Sequence, residues 1–164
     1  MTNPRDNPRS DRFPDHILVI DEIPLVAIGL QEVFRSINPG VRVEYTGNLF
    51  TALSAREYEK SSFDLVILGV QASGFSDDLS LPVLELKERF PNSRVLVYTD
   101  HYDPILIGKV KAGNGTEGNI DACVHKHEPI EEIRNAYLCL STGKTYVSAI
   151  LHTLYHAYRL NLKE

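Results

Sequence analysis

Three short runs constrain this chain more than anything else in it: "HILVI" at 16–20, "DLVIL" at 64–68 and "RVLVYT" at 94–99. Each holds a nearly unbroken apolar stretch, the mark of a strand covered on both faces rather than wetted on one. Such strands need helices on either side of their sheet, and the intervening stretches supply them. A helix is expected from Pro24 to Ile37, with proline at its start and "NPG" at 38–40 ending it. Its apolar or small stripe is expected at Leu25, Ile28, Gly29, Glu32 and Val33, broken only by Glu32. "VRVEYT" (41–46) alternates and reads as an edge strand with one wetter face. Further helices are expected over 49–60, 81–90, 103–112 and 129–140, and a fifth strand over 121–125. Asp103 is placed to cap the fourth helix and Pro104 to begin it. Five βα units in series imply an α/β fold with a doubly wound parallel sheet and right-handed crossovers.

Composition sets the outer limits. A chain of 164 residues suits one domain with a proper core. A formal charge of −5 argues against a free-standing nucleic-acid binder, which ordinarily presents a basic face. Two cysteines, Cys123 and Cys139, make no disulfide framework and read as reduced thiols of a cytoplasmic protein. No apolar stretch is long enough to span a bilayer, so no membrane role is expected. Residues 1–15 carry three prolines and many charges and read as a disordered tail. At the other end, 143–164 reads as an extension with an amphipathic helix, its stripe formed by Ile150, Leu151, Leu154, Tyr155, Tyr158 and Leu162. That stripe must cover its own domain, a second copy or a further domain.

In an open α/β sheet, chemistry gathers at the carboxyl ends of the strands. Here the first strand ends in Asp21 and Glu22, the third in Gly69 and the fourth in Thr99, while Lys126 closely follows the fifth. Two carboxylates, a hydroxyl and an ammonium are thereby expected around Gly69. Taken singly, each is an ordinary turn or surface residue. Together, "ILVIDEIPLVAIGLQEVF", "FDLVILG", "RVLVYTD" and "VHKHEP" resemble the receiver domain of bacterial two-component response regulators. "EEIRNAYLCLSTGKTYVS" resembles the end of those receivers that precede a LuxR-type helix-turn-helix. The likeness covers about 16–148, with the receiver-like domain itself placed at 16–142. It implies a flavodoxin-like (βα)5 domain with strand order 2-1-3-4-5, followed here by an extra C-terminal helix.

The resemblance also assigns roles. Asp21 and Glu22 match the acidic pair that binds Mg²⁺, Thr99 the phosphate-binding hydroxyl and Lys126 the phosphate-binding lysine. Gly69 stands where the phosphoacceptor aspartate should be, so the implied acceptor is lost. A carboxylate oxygen is the nucleophile of that reaction, and glycine offers none. Asp77 and Asp78 lie too far along the chain to be equivalents. Mg²⁺ needs hard oxygen ligands in octahedral array, so Asp21 and Glu22 alone would hold it weakly at most. Cys123 occupies the position of the aromatic that swings on activation, and "AGNGTEGNI" (112–120) makes a longer loop than receivers usually have.

Three other motifs carry no chemistry. "STGKT" lacks the first glycine of a P-loop, since Leu138 stands there. "HTLYH" sets His152 and His156 one turn apart without the glutamate of a zinc protease. "GNGTEG" follows a helix, not a strand. The expected function is therefore that of an atypical receiver, or pseudo-receiver: a cytoplasmic signalling module without enzymatic activity or a resident cofactor. It would act through a protein partner or a second copy, meeting it with the fourth and fifth helices or the C-terminal helix. Two other readings stand beside it. One is the regulatory part of a LuxR-type transcription regulator whose helix-turn-helix lies outside this chain. The other is a ligand sensor using the altered pocket.

Overall fold

A computed structural model describes residues 13–70, 79–112 and 120–162. The elements run β1 (His16–Ile20), α1 (Pro24–Ile37), β2 (Arg42–Thr46), α2 (Leu49–Ser54), β3 (Leu65–Val70), α3 (Ser80–Arg89), β4 (Arg94–Thr99), α4 (Pro104–Ala112), β5 (Ala122–His125), α5 (Ile130–Ser141), β6 (Tyr146–Val147) and α6 (Ala149–Asn161). All strand pairs are parallel, in the order β2-β1-β3-β4-β5-β6. The doubly wound α/β architecture expected from the apolar runs is present. One core lies on the side of α2, α3, α4 and α6, built around Leu68, Val83, Leu86, Val97 and Ile107. The other lies under α1 and α5, around Ile67, Phe34, Leu96 and Tyr137. Every residue of β3 is buried, which is why its sequence shows no alternation. The half-exposed β2 lies at the edge, as its alternation indicated.

Local chemistry sets the helix ends. Asp103 Oδ1 accepts from the Ile105 N–H at 2.8 Å, and Pro104 opens α4. Asn48 caps α2 through the Thr51 N–H. Gly143, at φ 75°, ends α5: its own N–H bonds to Leu140 O and that of Lys144 to Cys139 O. This is the Schellman arrangement, in which glycine takes the left-handed position. The "STGKT" run is thus a helix stop, with its glycine fixed by backbone geometry.

Four details differ from the sequence reading. The sheet has a sixth strand beyond the order 2-1-3-4-5: β6 pairs with β5, and its two residues are too few for any pattern to reveal. Helix α2 stops at Ser54 instead of continuing to Lys60, and Arg56–Tyr58 form a separate 3-10 turn. There the Ala55 carbonyl accepts from Arg89 Nη2 at 3.1 Å, and Tyr58 turns into the core. The face of α1 is also shifted. Ala27, Leu30 and Phe34 are buried, whereas Leu25 is 72% and Ile28 57% exposed. Phe34 settles the rotation by packing on the Tyr137 ring, with centroids 4.8 Å apart. Finally, β3 runs one residue past Gly69, to Val70.

The described end of the tail and the start of the extension are tied to the domain. Phe13 stacks on Tyr137, whose hydroxyl donates to Pro14 O at 2.7 Å. In the extension, β6 joins the sheet and Leu151 of α6 is fully buried. Most of "AGNGTEGNI", including "GNGTEG", and both Asp77 and Asp78 lie outside the described residues.

Candidate functional site

Asp21 follows β1 directly, and its N–H continues the β1–β2 ladder by donating to Thr46 O at 3.1 Å. This fixes the backbone, while the side chain turns inward and is almost wholly buried. Lys126 follows β5 directly, its N–H bonded to Thr99 O at 2.7 Å. The ammonium of Lys126 reaches across the strand ends and donates to Asp21 Oδ2 at 2.8 Å. Asp21 Oδ1 accepts from the Ile23 N–H at 2.9 Å. Both carboxylate oxygens are therefore engaged, one by a cation and one by backbone. An ion pair this well shielded from water must be satisfied internally, because either charge alone would be costly.

Gly69 makes the pair sterically possible. A Cβ built on Gly69 would lie 1.9 Å from Asp21 Oδ2 and 2.7 Å from Asp21 Cγ. The Asp21 carboxylate thus fills the space that any side chain at position 69 would claim. Beside it, Tyr98 is the register partner of Gly69 on the neighbouring strand. The Lys126 ammonium lies over the Tyr98 ring, 5.5 Å from its centroid, a cation–π contact. Burial, and then the nearby Asp21 charge, raise the Tyr98 phenol above its ordinary pKa, so the ring stays neutral. Tyr98 was not singled out from the sequence. Its signal was a lone polar-tipped aromatic directly after the aliphatic run Val95, Leu96 and Val97.

The remaining expected residues sit as follows. Glu22 is exposed. The Thr99 hydroxyl is buried but occupied, accepting from the His101 N–H at 2.9 Å and donating to His101 O at 3.1 Å. Cys123 is fully buried within the α4 core, where loss of solvent pushes its thiol pKa far up. Such a thiol is an inert packing group. Toward Mg²⁺, Gly69 offers no oxygen ligand, and the Lys126 ammonium already engages Asp21 Oδ2. Among the described residues no cluster of three or more metal-ligating side chains exists, and His152 and His156 are an exposed pair on α6.

The loop after β5 and the first turn of α5 also grip the C-terminal helix. Glu128 Oε1 accepts from the Ile150 N–H at 2.7 Å, and Glu132 Oε2 from the Ala149 N–H at 3.1 Å. Ser148 accepts on its hydroxyl from the His125 N–H at 3.1 Å. Two carboxylates thereby satisfy otherwise orphaned N–H groups at the positive end of α6.

No family model and no curated protein matches this sequence. Solved structures do resemble the fold. The isolated REC domain of RcsB from Salmonella enterica serovar Typhimurium, determined with the phosphomimetic BeF3−, aligns with TM-score 0.67 and 17% identity. The alignment covers 86% of this chain and 98% of that one. A LuxR family DNA-binding response regulator from Silicibacter pomeroyi aligns with TM-score 0.63 and 19% identity, over 82% of this chain and 96% of that one. A structure described as an adenylate cyclase from Rhodopirellula baltica aligns with TM-score 0.57 and 18% identity, over 92% and 98% of the two chains. The fold is that of response-regulator receiver domains. Among the described residues no helix is long and apolar enough to cross a membrane.

Proposed function

We propose that this receiver-fold chain is a pseudo-receiver, a signalling module that works by protein–protein interaction without phosphorylation of an aspartate. One observation carries the reading. The Asp21 carboxylate, paired with Lys126, occupies the space above Gly69 where an acceptor side chain would stand. The groups expected to handle phosphate and Mg²⁺ satisfy one another instead. Lys126 neutralises Asp21, Tyr98 shields the ammonium and Thr99 is tied to backbone. The domain is then held in a single arrangement by its own side chains, with no resident metal and no turnover. Its output is a surface, presented in the cytoplasm to a protein partner or to another copy.

A second reading has its own support. The likeness to a LuxR family DNA-binding regulator, together with a helix that continues from the sheet, favours the regulatory part of a transcription factor. In that reading DNA contacts fall to a further domain. A ligand sensor finds less support, since the pocket's charged groups already satisfy one another.

The test is incubation with acetyl phosphate and Mg²⁺, followed by intact-mass measurement and peptide mapping. An unchanged mass is expected. A stoichiometric phosphoryl adduct on any aspartate would overturn the proposal.

A further inference from the structure

Helix α6 carries a pair of side chains that the strand-end site does not use. His152 and His156 are both exposed, and their ring centroids lie 4.6 Å apart with the rings tilted by 58°. Residues four apart stand one above the other on a helix face, so the contact follows from their spacing. Without a glutamate between them the motif makes no protease, yet both nitrogen ligands remain.

The spacing is that of a chelate. Two imidazoles holding one ion at a right angle, through bonds of ~2.0–2.1 Å, place their centroids about 4.5 Å apart. A tetrahedral angle widens this to about 5.2 Å with the same bonds. The rings of α6 stand close to the right-angled value, which suits the tetragonal coordination of Cu²⁺ and Ni²⁺. A ligating imidazole must also be unprotonated. Partial loss of solvent, then Lys111 and His156, hold His152 below its ordinary pKa and so favour that form. Two cations work against a dication here. The Lys111 ammonium lies over the Tyr155 ring, 5.6 Å from its centroid, and Arg159 follows His156 by three residues. Their repulsion keeps affinity moderate.

We propose that His152 and His156 form a two-nitrogen site for an exchangeable divalent transition-metal ion of the Cu²⁺, Ni²⁺ and Zn²⁺ group, with water completing its coordination. Imidazole selects this group over Mg²⁺ and Ca²⁺, which prefer oxygen ligands. The ion clips one turn of α6. An unfolded segment does not hold the two nitrogens together, so binding stabilises the helix. None of the strand-end residues takes part, and the proposal stands apart from the pseudo-receiver reading.

Calorimetric titration of the full chain with NiCl₂, in a weakly coordinating buffer, tests this. One ion per chain at micromolar affinity is expected, with CuCl₂ binding more tightly. His152→Gln and His156→Gln should each weaken Ni²⁺ binding about tenfold or more, whereas His127→Gln should leave it unchanged. Lys111→Met should tighten it a few-fold by removing a repelling charge. Ni²⁺ should raise the melting temperature of the full chain, followed by circular dichroism, and should not raise that of either α6 variant. Absence of binding, binding that neither α6 substitution weakens, or binding that His127→Gln abolishes would overturn the proposal.

Discussion

Among the described residues two buried lysine–aspartate pairs stand at opposite ends of the sheet. At the amino end of β4 and β5, Lys87 meets Asp121 at 3.1 Å, with the two side chains 17% and 4% exposed. At the carboxyl end, Lys126 meets Asp21 at 2.8 Å, with 13% and 1% exposure. In charge and burial they are near twins. Their surroundings differ. Asp121 Oδ2 also accepts from the Val95 N–H at 2.8 Å, and Lys87 also donates to Ser93 O, so backbone helps to satisfy both partners. Asp21 Oδ2 depends on Lys126, over a glycine that leaves it room. The first pair fastens a loop to the sheet. The second lies at the carboxyl ends of the strands, in the space that a side chain at position 69 would claim.

The sharpest way to break this contrast is to remove each lysine. Lys126→Met should cost about 3 kcal/mol in urea unfolding, since it strands a buried carboxylate oxygen without a donor. Gly69→Ala should cost about 2 kcal/mol by forcing the Asp21 side chain out of its place. Most of that cost should vanish in an Asp21→Ala background, where the contested atoms are gone; persistence of the full cost would disprove the steric account. Lys87→Met should cost less than Lys126→Met, about 1.5 kcal/mol, because the Val95 N–H still serves the same oxygen of Asp121. The reverse ranking would erase the distinction between the two ends. Smallest of all, Glu22→Gln should change stability by less than about 0.5 kcal/mol, as an exposed side chain outside the pair. A large loss there would place Glu22 in the site after all.

Much of this was legible in the sequence, for physical reasons that vary by element. The apolar runs of β1, β3 and β4 announced a doubly covered sheet because burial on both faces leaves no polar alternation. Asp103, Pro104 and the Asn38–Gly40 stop marked helix ends through local hydrogen bonds and fixed dihedrals. The face of α1 was misread because Leu25 and Ile28 are apolar yet exposed, so two stripes competed, and the buried face is the one that carries Ala27, Leu30 and Phe34 onto the core beside Tyr137. Strand β6 is two residues long and owes its existence to β5 alone. At the site, Asp21, Gly69, Thr99 and Lys126 were all named from the sequence. Their relation was not, because it links residues 105 positions apart, and nothing local signals that one side chain leans into another's space. Tyr98 escaped for the same reason: its role comes from its register partner and from the ammonium above it.

The crowding over Gly69 limits what a substitution there can achieve. An aspartate placed at position 69 would meet the Asp21 carboxylate in its own space, with the Lys126 ammonium and the Ile23 amide already engaged by Asp21. Installing a second carboxylate at this spot therefore calls for a change at Asp21 as well.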